Sequence, residues 1–118
     1  FLKNFLFGNY IYSVVDLGCG DFLCGPHIYN DIDIKYTGYD VYDKVINHNR
    51  ERYAFGSKYD FQCIDILNDW EKIESADLCI IKDVLQHWKL KDIYQFLDNN
   101  LLISNLTKKA LFKYSFSF

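Results

Sequence analysis

Short apolar runs rich in β-branched and aromatic residues alternate along this chain with stretches of helical period. Segment 10–17, YIYSVVDL, is the kind of near-continuous apolar run that a strand covered on both faces needs. Segments 34–40 (IKYTGYD), 59–65 (YDFQCID), 77–83 (DLCIIKD) and 110–116 (ALFKYSF) read the same way. Each of these runs except the last ends at or near an acid. Between them, 41–54 places Val41, Val45, Ile46 and Tyr53 on a rough helical stripe, with Asn and Arg elsewhere. Val84, Leu85 and Trp88 share a face, and beyond the KLKD break Ile93, Phe96, Leu97 and Leu101 form another stripe. Gly25-Pro26 interrupts the stretch after the first strand, so a helix is predicted to start at Pro26, where a missing N–H costs nothing. Strands alternating with helices predict βαβ units and right-handed crossovers. The expected class is α/β, an open, mainly parallel, doubly wound sheet.

Composition narrows this picture. The 118 residues make one domain, 1–118, and half of them are hydrophobic with 19% aromatic, which excludes a disordered chain. A net charge of -3 leaves no basic footprint for nucleic acid. No apolar stretch approaches the roughly 18 residues a membrane span needs. The start, FLKNFLFGNY, lacks the basic cluster and cleavage site of a secretory signal. The chain holds no methionine and both ends are apolar, so an excised or incomplete domain is expected.

Cys19, Cys24, Cys63 and Cys79 match no zinc spacing, and no metal is expected. Cys63 and Cys79 lie inside apolar runs and read as small buried hydrophobes. Free thiols place the protein in a reducing, cytoplasmic setting.

In such a sheet ligands bind beyond the carboxyl ends of the strands. The stretch VVDLGCGDF delivers Gly18 and Gly20 there, letting the chain turn sharply and a ligand touch bare backbone. A dinucleotide loop would want a further glycine where Leu23 stands, and its pyrophosphate suits a loop free of acids. Here Asp16 precedes the glycines and Asp21 follows them. That pair favours a cationic ligand, the ammonium and sulfonium of S-adenosylmethionine. Asp40 closes the second strand, where an acid accepts ribose hydroxyls. Asp65, after the third, can accept from an adenine amino group, with Val41 and Ile66 as apolar neighbours for its faces.

On VVDLGCGD, YTGYDV, FQCIDIL and ADLCIIKDVLQHW, the sequence resembles the class I S-adenosylmethionine-dependent methyltransferases over about residues 11–116. The resemblance implies a Rossmann-like sheet of order 3-2-1-4-5, here without the sixth and seventh strands that follow in the family. It implies that Asp16, Gly18 and Gly20 face the methionine portion, Asp40 the ribose, and Asp65 and Ile66 the adenine. Lys82 or Asp83 would edge the pocket by the reacting sulfur. No Asn-Pro-Pro-aromatic signature follows the fourth strand, which disfavours the amino-methylating nucleic-acid enzymes.

The implied reaction is methyl transfer to a small molecule or an exposed protein group. A general base is needed only where the acceptor must lose a proton. Asp83 and His87 are the candidates, with Gln86 behind them. Each also has a plainer role, Asp83 as a helix cap and His87 as a packing or helix-end residue. Two other readings stay open: a domain that binds the cofactor without turnover, and a nicotinamide-dependent oxidoreductase fragment. The last apolar run would be an exposed sheet edge, through which self-association is expected.

Overall fold

The computed structural model of the chain describes residues 2–8, 10–81, 84, 87–98 and 112–113. Its strands are β1 (Ser13–Leu17), β2 (Lys35–Asp40), β3 (Tyr59–Cys63), β4 (Leu78–Ile81) and β5 (Phe112–Lys113). They form one sheet in the order β3-β2-β1-β4-β5, with every described pair parallel. This is the doubly wound order that the resemblance implies. Helices α1 (Leu2–Gly8), α2 (Gly25–Tyr29), α3 (Asp43–Tyr53) and α4 (Leu90–Leu97) surround it, with a 3-10 turn at Trp70–Lys72.

Both faces of the sheet are covered, which is why its strands read as apolar runs. Val14, Tyr36, Phe61 and Leu78 pack on one side with Leu6 of α1, Tyr29 of α2 and Ile46 of α3. Val15, Leu17, Tyr39, Cys79 and Ile81 pack on the other with Phe96 of α4, Ile66 and Ile73. Trp88 joins this second core, its ring edge-on to Phe96 at 5.6 Å. The chain order reverses at β1, which has β2 on one side and β4 on the other. A crevice is expected beyond the carboxyl ends of β1 and its neighbours.

Three features depart from the sequence reading. Helix α1 lies in a stretch the strand–helix alternation did not cover, and Lys3 pins it to Asp31 at 2.6 Å. Asn49, expected off the apolar stripe of 41–54, is fully buried, because its position falls on the same helical face as Ile46 and Tyr53. Cys63 is exposed, whereas Cys79 is buried as expected. Cys63 ends β3 at the sheet margin, and its thiol donates to the Val41 carbonyl at 3.4 Å. Among the described residues no helix is long and apolar enough to cross a membrane.

Candidate functional site

Gly18, Cys19 and Gly20 leave the end of β1 and fold back over the end of β2. The Gly18 and Cys19 N–H groups both donate to the Tyr39 carbonyl, at 2.7 and 3.0 Å. The Gly20 N–H donates to Asp40 Oδ2 at 3.1 Å. Three successive amides are therefore spent inside the protein. Gly18 and Gly20 hold φ of 82° and 59°, the left-handed region that side chains resist. A Cβ on Gly18 would overlap the Val84 side chain, whereas one on Gly20 would meet nothing within 4 Å. Gly20 thus turns a bare Cα toward open space.

The loop can lie this low because Gly38, in the middle of β2, offers no side chain beneath it. A Cβ there would press on Cys19 and on the Phe61 ring. The strand glycine in YTGYD carries that signal in the sequence, since such a residue often marks a close backbone approach. Phe22, the residue that closes the turn, has φ of 59° and is buried. Its ring sits among Tyr29, Tyr36, Tyr53, Tyr59 and Phe61. Neither Phe22 nor Gly38 was singled out by motif.

Asp16 faces the α3 side of the sheet and accepts the Tyr36 hydroxyl at 2.6 Å. Burial first, and then the Asp16 charge, hold the Tyr36 phenol well above its ordinary range. The Cys19 thiol is pushed up as well, by burial and then by the carboxylates of Asp16, Asp40 and Asp21. Those three acids therefore bring their negative charge to bear on one loop. Asp21 itself is exposed and accepts the Leu23 N–H at 3.2 Å.

The other predicted residues are arranged around this loop. Asp40 Oδ1 accepts the Tyr42 N–H at 3.1 Å, fixing the start of α3. Val41, beside it, is 58% exposed. Asp65 follows β3 and organises its own turn, accepting from the Leu67 N–H at 3.0 Å and the Asn68 side chain at 2.7 Å. Its partial burial raises the carboxyl pKa, but these hydrogen bonds outweigh burial and hold it below the ordinary value. Ile66 is buried in the core that Tyr39 shares, so its side chain is committed to packing. His87 is exposed on a turn whose N–H reaches the Val84 carbonyl at 3.1 Å. Lys82, Asp83 and Gln86 lie outside the described residues. Among the described residues no cluster of acids, histidines and cysteines could hold a metal ion.

A family model described as a methyltransferase domain matches residues 14–101. The N-methyltransferase NodS from Bradyrhizobium japonicum WM9 is similar in structure, with a TM-score of 0.75 and 18% identity over 98% of this chain and 64% of that one. The methyltransferase domain of bacterial CtHen1 superposes with a TM-score of 0.74 and 16% identity, over 89% of this chain and 58% of that one. The plantazolicin methyltransferase BpumL, solved in complex with S-adenosylhomocysteine, gives a TM-score of 0.72 and 19% identity, over 96% of this chain and 42% of its own. This chain spans 42% to 64% of the length of these solved proteins. A search of the curated proteins finds no match.

Proposed function

The chain belongs to the methyltransferase domain family, and from that premise we propose that it binds S-adenosylmethionine and directs its methyl group to a small-molecule acceptor. One observation carries this reading. The glycine loop turns its amides inward and a bare Cα outward, under the charge of Asp16, Asp21 and Asp40. A phosphate would need outward N–H groups and no acids. An ammonium and a sulfonium suit what is there. The same observation weighs against a nicotinamide dinucleotide.

The donor set fits the cofactor. Each Asp40 oxygen already accepts one backbone N–H, and a carboxylate has about four acceptor positions. Capacity therefore remains for the ribose hydroxyls. Val41 offers exposed apolar surface for the adenine, while Asp65 accepts from its amino group beside Ile66. Asp16, Gly18 and Gly20 hold the methionine portion. When bound, the cofactor supplies an electrophilic methyl for in-line displacement. The chain's own task is to orient it and to keep the acceptor aligned.

The plantazolicin methyltransferases, solved with desmethylPZN analogues beside S-adenosylhomocysteine, support a small-molecule acceptor. His87 and Asp83 are the residues proposed for any proton the acceptor must lose. Free thiols fit a reducing, cytoplasmic setting, and the β5 margin of the sheet is the surface proposed for self-association. The second reading is a domain that binds the cofactor without turnover.

Calorimetric titration with S-adenosylhomocysteine, on the protein and on Asp40→Ala, tests the proposal. Saturable binding that weakens about tenfold or more in the variant is the expected result. No heat from the unaltered protein, or equal affinity in the variant, overturns the site. Binding without methyl transfer on an acceptor panel favours the second reading.

A further inference from the structure

Gly20 is gripped from both sides of its own residue. Its N–H is held by Asp40 at the end of β2, and its carbonyl accepts the Asn49 side-chain amide at 2.7 Å. Asn49 lies within α3, is 0% exposed, and also brings its Nδ2 to 4.0 Å from the Cys19 thiol. Its other polar atom, Oδ1, is buried without a hydrogen-bond partner among the described residues. An apolar residue here would remove that unpaired oxygen but leave the Gly20 carbonyl without its donor, so the one hydrogen bond the buried amide makes to a carbonyl is the one that holds the loop.

We infer that Asn49 is a positioning residue for the cofactor, fixing the Gly20 peptide so that the bare Cα faces the ligand. This rests on the S-adenosylmethionine reading above. With N–H and carbonyl both tethered, Gly20 is held at φ of 59° and the loop cannot tilt toward solvent. Without the amide, the carbonyl needs another donor and the loop must move to find one. Asn49 does not touch the ligand in this scheme; it acts through Gly20. The position lies outside the sequence segments that carry the resemblance, and helical periodicity alone reads it as one more polar residue.

The test compares Asn49→Ala and Asn49→Leu with the unaltered protein. Leu keeps the side-chain bulk and both variants remove the unpaired oxygen, so one of them is expected to stay folded. Three quantities are read: melting temperature, affinity for S-adenosylhomocysteine, and the rate at which iodoacetamide labels Cys19. The expected pattern is a melting temperature that changes little, because losing the unpaired oxygen offsets losing the Gly20 carbonyl's donor, with affinity down about fivefold to tenfold and Cys19 labelled faster. A lower melting temperature with unchanged affinity would make Asn49 a packing residue and overturn the inference. If the unaltered protein binds no S-adenosylhomocysteine, the cofactor reading fails. The Cys19 rate then still decides whether Asn49 holds the loop: an unchanged rate overturns that too.

Discussion

Phe22 stacks face to face on Tyr36, with ring centroids 4.6 Å apart and planes 6° from parallel. The ring that anchors the glycine loop into the sheet therefore rests on the same tyrosine whose hydroxyl binds Asp16. Phe22 occupies this place at φ of 59°, so its packing must outweigh backbone strain. Phe22→Ala loses the ring and keeps the strain, for an expected cost of about 3 kcal/mol and a melting temperature lower by roughly 12 °C. Phe22→Gly loses the ring but relieves the strain, and should melt above Phe22→Ala by about 1 kcal/mol of stability. Thermal unfolding of the pair checks it. Alanine the more stable would mean that Phe22 carries no strain.

The two loop glycines should separate folding from binding. Gly18→Ala forces a Cβ into the Val84 side chain at φ of 82°, and is expected to cost about 2 kcal/mol or more. Gly20→Ala meets open space and pays only for φ of 59°, about 1 kcal/mol. Its Cβ would fill the space in front of the loop, so S-adenosylhomocysteine affinity should fall well beyond the loss of stability. Chemical denaturation alongside calorimetry measures both. Equal affinity in Gly20→Ala would mean that the ligand does not approach that carbon.

Alkaline pH should unfold the protein early. Burial raises the Cys79 thiol from its ordinary 9.0, and raises Tyr39 from 10.0 to about 12. Tyr36 and Cys19 move the same way. Below the ordinary values these groups are neutral in both states and their contribution is fully present. As pH rises past 9.0 and then 10.0, the unfolded chain ionises while the folded chain resists. Stability is lost over that interval, until Tyr39 itself titrates near 12. Tyrosinate absorbance and far-ultraviolet circular dichroism, followed together, should show the last part of the phenol ionisation arriving with unfolding. Ionisation of all ten tyrosines with the fold intact would contradict the burial of Tyr36 and Tyr39.

The sheet was legible because a parallel strand covered on both faces must be apolar along its length, as Val14, Val15 and Leu17 are. The strand-end acids were legible for the opposite reason, since Asp16, Asp40 and Asp65 interrupt those runs where a chain leaves the core. What holds the loop was harder to see. Asn49 looks like any polar helix residue until α3 is docked and its face is known. Phe22 looks like one more apolar residue, because nothing local announces a left-handed backbone at a phenylalanine. Helix α1 escaped because its apolar residues precede the first strand and meet their partners only in the folded chain. Cys63 was misjudged because an apolar neighbourhood in sequence says nothing about the margin of a sheet.

The hydrogen bonds that shape the glycine loop come from Tyr39, Asp40 and Asn49, at sequence separations of 20 for Asp40 and 29 for Asn49. None of these bonds reaches beyond α3. Closing so short a stretch costs little chain entropy compared with bringing in β4, whose pairing with β1 joins Val14 to Leu78. The loop can therefore take its shape within a single strand–helix–strand–helix unit early in folding, while the other edge of β1 still waits for its neighbour. The packing of Phe22 on Tyr59 and Phe61 and the snug fit of Gly18 against Val84 depend on chain that arrives later.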